Sequence, residues 1–214
     1  VMLTSEFKND LEPFLAAHVI PELSSQQKFL RLRAAWCIEQ YDEVQWRGES
    51  VVKLIQGLMT CLEDVELPVR AQACVTIGSL LDQPGCQEQL IAHLGKIVQI
   101  TLQLTSQVEL DSLSYVMDRL VSMYPTELTP YAEELTVQLR NSFLNILESS
   151  LTRGGDGEES GEFYFSDTDK MMAAVALLET IETVIGQMCS SAEVCGRVEG
   201  ALIPLFMVVL ERRL

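Results

Sequence analysis

Carboxylates are the side chains of this sequence whose number and placement could do chemistry. Asp156, Glu158, Glu159, Glu162, Asp167 and Asp169 crowd one glycine-rich stretch. A second set, Asp42, Glu43, Asp111, Asp118, Glu179 and Glu182, recurs at intervals on segments read below as the second helices of successive pairs. Carboxylates on a tether follow a Lys/Arg-rich partner and raise encounter rates more than final affinity. Carboxylates on stacked helices, ~10 Å apart, form a ladder that meets spaced cations. The plainer readings are a solvated insertion for the first set and the ordinary polar face of amphipathic helices for the second.

Catalytic chemistry finds little support. The only histidines are His18 and His93, and neither has a motif around it. Nucleophilic catalysis needs a base beside the nucleophile and donors for the developing oxyanion. No stretch offers that constellation, nor a phosphate-binding G-x-x-x-x-G-K-[ST] loop, a G-x-S-x-G elbow or an H-E-x-x-H helix. Ser160-Gly161 sits in plain acidic sequence. The expectation is a non-enzyme without cofactor or metal. Six cysteines, none in a C-x-x-C pair, lie mostly in apolar helical stretches and read as small hydrophobes in a reducing compartment.

The formal charge of −16 repels nucleic acid and anionic lipid and attracts basic partners, although solubility alone also favours an acidic surface. Hydrophobic residues make up 48% of the chain and aromatics only 7%, with 12 glycines and 7 prolines among 214 residues. That balance suits an all-α fold with an aliphatic core. The apolar run 201–210 is shorter than the ~20 residues that span a bilayer, so a soluble chain is expected. The sequence begins at Val1 and reads as a piece of a longer polypeptide.

The elements that must position the carboxylates follow from periodicity. Leu11, Phe14, Leu15, His18 and Val19 share a helical face, as do Val51, Leu54, Ile55, Leu58 and Leu62, and Leu110, Leu113, Met117, Leu120 and Val121. Thr129 before Pro130 reads as an N-cap, and residues 166–169 as the start of a later helix. The predicted pairs are 9–21 with 28–45, 49–63 with 67–82, 87–105 with 109–124, and 128–149 with 167–189, followed by an unpaired helix from about 196. Second helices open at Leu32, Val69 and Leu110, spaced 37 and 41 residues apart, the period of HEAT and armadillo repeats. Pairs of this kind bury their apolar faces by stacking into a HEAT-repeat α-α superhelix, a solenoid with a concave inner surface. The chain is accordingly read as one continuous segment over 1–214, about five pairs with the last incomplete.

Residues 152–169 interrupt the rhythm as an acidic loop insertion, with Phe163-Tyr164-Phe165 either pinning it or meeting a partner. Trp36 shares a stripe with Phe29 and Leu32 and is expected in the core. Arg33 and Arg70 are expected to tie adjacent repeats through carboxylates such as Asp64.

The string Leu15-Ala16-Ala17-His18-Val19-Ile20-Pro21-Glu22-Leu23-Ser24-Ser25, with Phe29-Leu30-Arg31-Leu32-Arg33-Ala34-Ala35-Trp36 after it, resembles the importin-β superfamily and its importin-seven/importin-eight branch. The turn at Glu66-Leu67-Pro68-Val69-Arg70, the later Glu127-Leu128-Thr129-Pro130-Tyr131-Ala132-Glu133-Glu134-Leu135 and the acidic insertion extend the resemblance. It runs at intervals from about Phe14 to Leu210. Ile20, where the branch often has an aromatic, and the Phe-Tyr-Phe of the loop depart from the pattern. The resemblance implies a karyopherin that shuttles between cytoplasm and nucleus. Such receptors carry protein cargo on the concave face, bind the GTPase Ran mainly through N-terminal repeats, and pass the pore by contacts with Phe-Gly nucleoporins. Basic cargo, ribosomal proteins and histones as a class, is implied, with release driven by Ran; this segment looks central. Direct contact with nucleic acid or membrane is not expected. The rival reading is a static HEAT-repeat scaffold for a multiprotein complex.

Overall fold

A computed structural model describes residues 10–108, 111–152, 163–189 and 191–212, and every regular element among them is helical. The architecture is all-α and consistent with HEAT repeats. It divides into two compact units, 1–100 and 101–214.

In the first unit, α1 (Leu11–His18) runs into a 3-10 turn (Ile20–Ser24) and is followed by α2 (Lys28–Gln40), α3 (Glu49–Leu62), α4 (Leu67–Leu80) and α5 (Pro84–Ile91). The core is aliphatic, with Leu15, Leu23, Ile38, Leu54, Leu58, Ile77 and Leu80 fully buried. Helices α2 and α4 pack through small residues. Ala34, Ala35, Ala71 and Ala73 are buried, and the Thr76 hydroxyl lies 3.0 Å from the Ala35 carbonyl and 2.8 Å from that of Gln72. Polar ties join one pair to the next at repeat-like separations: the Cys61 thiol donates to the Leu23 carbonyl at 3.2 Å, and Gln72 Nε2 donates to Glu39 at 2.6 Å.

Gly57 permits the closest approach. A Cβ there would come within 2.7 Å of Leu23 Cδ1 and 3.1 Å of its Cβ, so α3 seats on the 3-10 turn only without a side chain at that position. Gly48, immediately before α3, takes φ +55°, where glycine carries no steric cost.

Helix α6 (Leu94–Gln107) leads to the second unit, where α7 (Asp111–Met123), α8 (Pro125–Leu128), α9 (Ala132–Thr152), α10 (Phe163–Met188) and α11 (Ala192–Arg212) follow. Helix α10 packs on both α7 and α9, and α11 packs on α9. Leu113, Met117, Leu120, Leu135, Leu139, Val184 and Met188 fill the core. Arg140 donates to the Ala201 carbonyl at 2.9 Å, joining α9 to α11. Among the described residues no helix is long and apolar enough to cross a membrane.

Several sequence expectations need correction. The predicted helix 87–105 is two helices, α5 and α6, parted at residues 92–93. Thr129 is not an N-cap: it opens a 3-10 turn (Thr129–Tyr131) and its hydroxyl donates back to the Pro125 carbonyl at 2.7 Å, while α9 starts at Ala132. Trp36 is not a core residue but 42% exposed. The last helix begins at Ala192. The insertion is shorter than read, because Thr152 ends α9 and Phe163 begins α10.

Candidate functional site: an acidic cleft between two helices

The polar face of α7 repeats with helical spacing, Ser114, Asp118 and Ser122, while Leu113, Met117 and Leu120 take the buried face. On α10 the same logic sets Glu179, Glu182, Thr183 and Gly186 on one side and Leu177, Ile181 and Val184 on the other. Packing α10 on α7 brings the two polar stripes together around a cleft of about 580 Å³. Asp118, Glu179 and Glu182 line it, with Ser114, Tyr115, Ser122, Thr180, Thr183 and Gln187 among their neighbours.

The Thr183 hydroxyl lies 2.9 Å from Asp118 Oδ1 and 3.0 Å from the Glu179 carbonyl, and its single proton serves one of them at a time. Along α7, Arg119 Nη1 donates to the hydroxyl of the lining Tyr115 at 2.9 Å, with the guanidinium 5.5 Å from the ring centroid. Among the described residues none of the three carboxylates pairs with a cation. Glu179 and Glu182 are exposed and Asp118 is half-buried, so the cleft presents three accessible carboxylates. Such a recess attracts the ammonium or guanidinium of a partner and offers carboxylate and hydroxyl acceptors for its N–H groups.

The other acidic positions fall differently. Asp42 and Glu43 lie in the turn after α2, not on a second helix, and the Asp42 carbonyl accepts from Gln83 Nε2. Asp111 is the first residue of α7; its side chain lies outside the described residues. Asp167 and Asp169 belong to helical backbone in α10 rather than to a loop, and their side chains also lie outside the description. Asp156, Glu158, Glu159 and Glu162 lie outside the described residues altogether. The structure therefore brings together three of the expected carboxylates.

Sequence reasoning missed the uncharged lining, Ser114, Ser122 and Thr183, although their i, i+4 spacing from Asp118 and Glu179 carries the signal. Of the two arginines expected to tie repeats through carboxylates such as Asp64, Arg70 adds its charge there, but the two-pronged bridge falls to a third arginine. Arg31 makes that bridge, with Nε–Oδ2 at 2.5 Å and Nη2–Oδ1 at 2.9 Å, while Arg33 lies over the Trp36 ring at 5.1 Å.

No family model matches the chain, and no solved structure matches it. The chain is similar to the importin beta-like SAD2 homolog of Arabidopsis thaliana, 27% identical over 97% of this chain and 19% of that protein. It is 26% identical to importin-8 of Homo sapiens over 97% of this chain and 19% of that protein. The "Probable importin-7 homolog" of Dictyostelium discoideum is 29% identical over 84% of this chain and 16% of that protein. The chain spans about a fifth of the length of these relatives. The similarities are consistent with the importin-β family and its importin-7/8 branch, with this chain corresponding to a fragment of such a receptor.

Proposed function

We propose that this chain is a cargo-contacting segment of a nuclear transport receptor, and that the cleft between α7 and α10 takes Lys and Arg side chains of basic protein cargo. The observation that carries the reading is the convergence of Asp118, Glu179 and Glu182 on one recess, with no cation among the described residues paired to any of them. The net charge of −16 adds a long-range field that steers a basic partner toward the surface. Similarity to importins over nearly the whole chain supplies the transport context.

In the full receptor, cargo held through exposed ion pairs dissociates when binding of Ran elsewhere alters helix packing and parts the contributing helices. The carboxylates of 153–162, with Asp167 and Asp169, supply a second acidic segment for first encounter with cargo. Shuttling between cytoplasm and nucleus, and passage through the pore by contacts with Phe-Gly nucleoporins, belong to the whole receptor.

The test is a titration of the chain with a highly basic ribosomal protein and a size-matched neutral protein, at low and physiological salt. Selective binding that weakens as salt rises is the expected result. Equal affinity for the two proteins at both salts would overturn the proposal and favour a static scaffold.

A further inference from the structure

Helix α2 buries Ala34, Ala35 and Ile38 and turns Phe29 and Trp36 outward, 68% and 42% exposed. The two rings are seven residues apart, so they share one face and stand about 10 Å apart along the helix. Aromatic side chains together with Arg are the residue types enriched where proteins bind one another. This face also departs from the charge of the rest of the chain. Between Glu22 and Glu39 the sequence holds Lys28, Arg31 and Arg33 and no acidic residue, in a chain of net charge −16.

The three cations differ in what they have left to offer. Arg31 is spent on Asp64, and Lys28 pairs with Glu66 at 3.1 Å. Arg33 is exposed, and among the described residues its contact is the Trp36 ring, 5.1 Å from its guanidinium carbon, with no hydrogen bond or ion pair. Contact with an aromatic ring holds a guanidinium in place while leaving its N–H donors unspent, and those donors match a carboxylate in a two-pronged geometry. The rings' attraction for cations is already answered by Arg33 over Trp36 and by Lys28, 5.8 Å from the Phe29 centroid. A further basic group gains little here, whereas a carboxylate gains an unpaired cation and an apolar neighbour gains two aromatic surfaces.

We infer that the Phe29–Arg33–Trp36 face of α2 is a docking surface for an acidic protein segment that carries an aromatic or large apolar side chain beside its carboxylate. The carboxylate seats on Arg33, and the apolar side chain packs against Trp36 and Phe29. The partner is of opposite charge to the one proposed for the cleft, so one chain offers separate surfaces to a basic and an acidic partner.

The test uses a fluorescently labelled synthetic peptide of alternating Glu and Phe, titrated into the whole chain at physiological salt. Controls replace every Glu by Gln or every Phe by Ser, and an arm with a short single-stranded oligonucleotide distinguishes phosphate from carboxylate recognition. The acidic-aromatic peptide is expected to bind, to quench Trp36 emission, and to weaken about tenfold in Arg33→Gln and in Trp36→Ala. Both positions are exposed, so neither substitution opens the core. Neutralising Asp118, Glu179 and Glu182 should not weaken this binding, which separates it from the cleft. No binding, equal binding of the Gln peptide, indifference to both α2 variants, or preference for the oligonucleotide would each overturn the inference.

Discussion

Arg31 and Asp64, 33 residues apart, meet in a two-pronged bridge of 2.5 and 2.9 Å that ties α2 to the turn after α3. Each partner is further committed. Arg31 Nη1 donates to the Ser25 carbonyl at 2.8 Å, and the Glu66 amide donates to Asp64 Oδ1 at 2.9 Å. The Asp64 side chain is 7% exposed, so its charge is held in place by these donors rather than by water. The bond from Arg31 holds the Asp64 carboxyl below its usual range, with the Glu66 amide helping and burial opposing. The stabilisation is therefore complete above about pH 5, where even the unfolded carboxyl is ionised, and is lost as pH falls through the lower folded value. Asp64→Asn should lower the melting midpoint by several degrees at pH 7. The gap between variant and parent should close on acidification. Thermal melts of both proteins from pH 7 to pH 2.5 check this, and a gap that widens in acid would contradict it.

Gly57 makes a second prediction. Alanine is the better helix former by about 1 kcal/mol, but its methyl would meet Leu23, whose Cβ and Cδ1 stand 3.1 and 2.7 Å away. Leu23 is fully buried and has little room to give. Overpacking costs about 1–3 kcal/mol, so Gly57→Ala should be destabilising on balance despite its propensity. Urea unfolding of Gly57→Ala, alone and with Leu23→Ala, measures it. The two changes should partly compensate.

The thiols should react in a fixed order. Burial pushes Cys61 up to about 11, with nearby Asp64 adding to the shift, and burial alone pushes Cys86 up to about 11. Both are fully buried, whereas Cys195 is exposed. A maleimide pulse at pH 7.5, read by peptide mass mapping, should label Cys195 first and leave Cys61 and Cys86 unmodified until denaturant is added. Early labelling of Cys61 would mean that the contact between α3 and the 3-10 turn opens readily.

Periodicity made the fold class and most helix pairs legible, because apolar faces at i, i+3 and i+4 are what stacking helices need. It also put Asp118, Glu179 and Glu182 in one candidate group, since polar faces repeat with the same spacing. It did not say which stripe of α2 is buried. Phe29, Leu32 and Trp36 look like a core face, but the approach of α2 to α4 selects the small side chains Ala34 and Ala35 and leaves the rings outside. The break between α5 and α6 was not legible either, because no proline marks residues 92–93. Residues 163–166 read as part of the glycine-rich acidic insertion before them, yet the backbone there is already helical. The choice between Arg31 and Arg33 for Asp64 depended on a rotation about the helix axis that spacing alone leaves open.

The cleft between α7 and α10 is the proposed place where basic side chains are captured. The most direct measurement is the affinity of a Lys/Arg-rich peptide for three proteins: the parent, a variant with Asp118→Asn, Glu179→Gln and Glu182→Gln, and a variant with the carboxylates of Asp156, Glu158, Glu159, Glu162, Asp167 and Asp169 neutralised. Anisotropy titrations at two salt concentrations suffice. The cleft variant should bind about tenfold more weakly or worse and respond less to salt, while the other variant mainly slows association. Unchanged affinity and salt response in the cleft variant would contradict the account and move any basic-cargo surface away from α7 and α10.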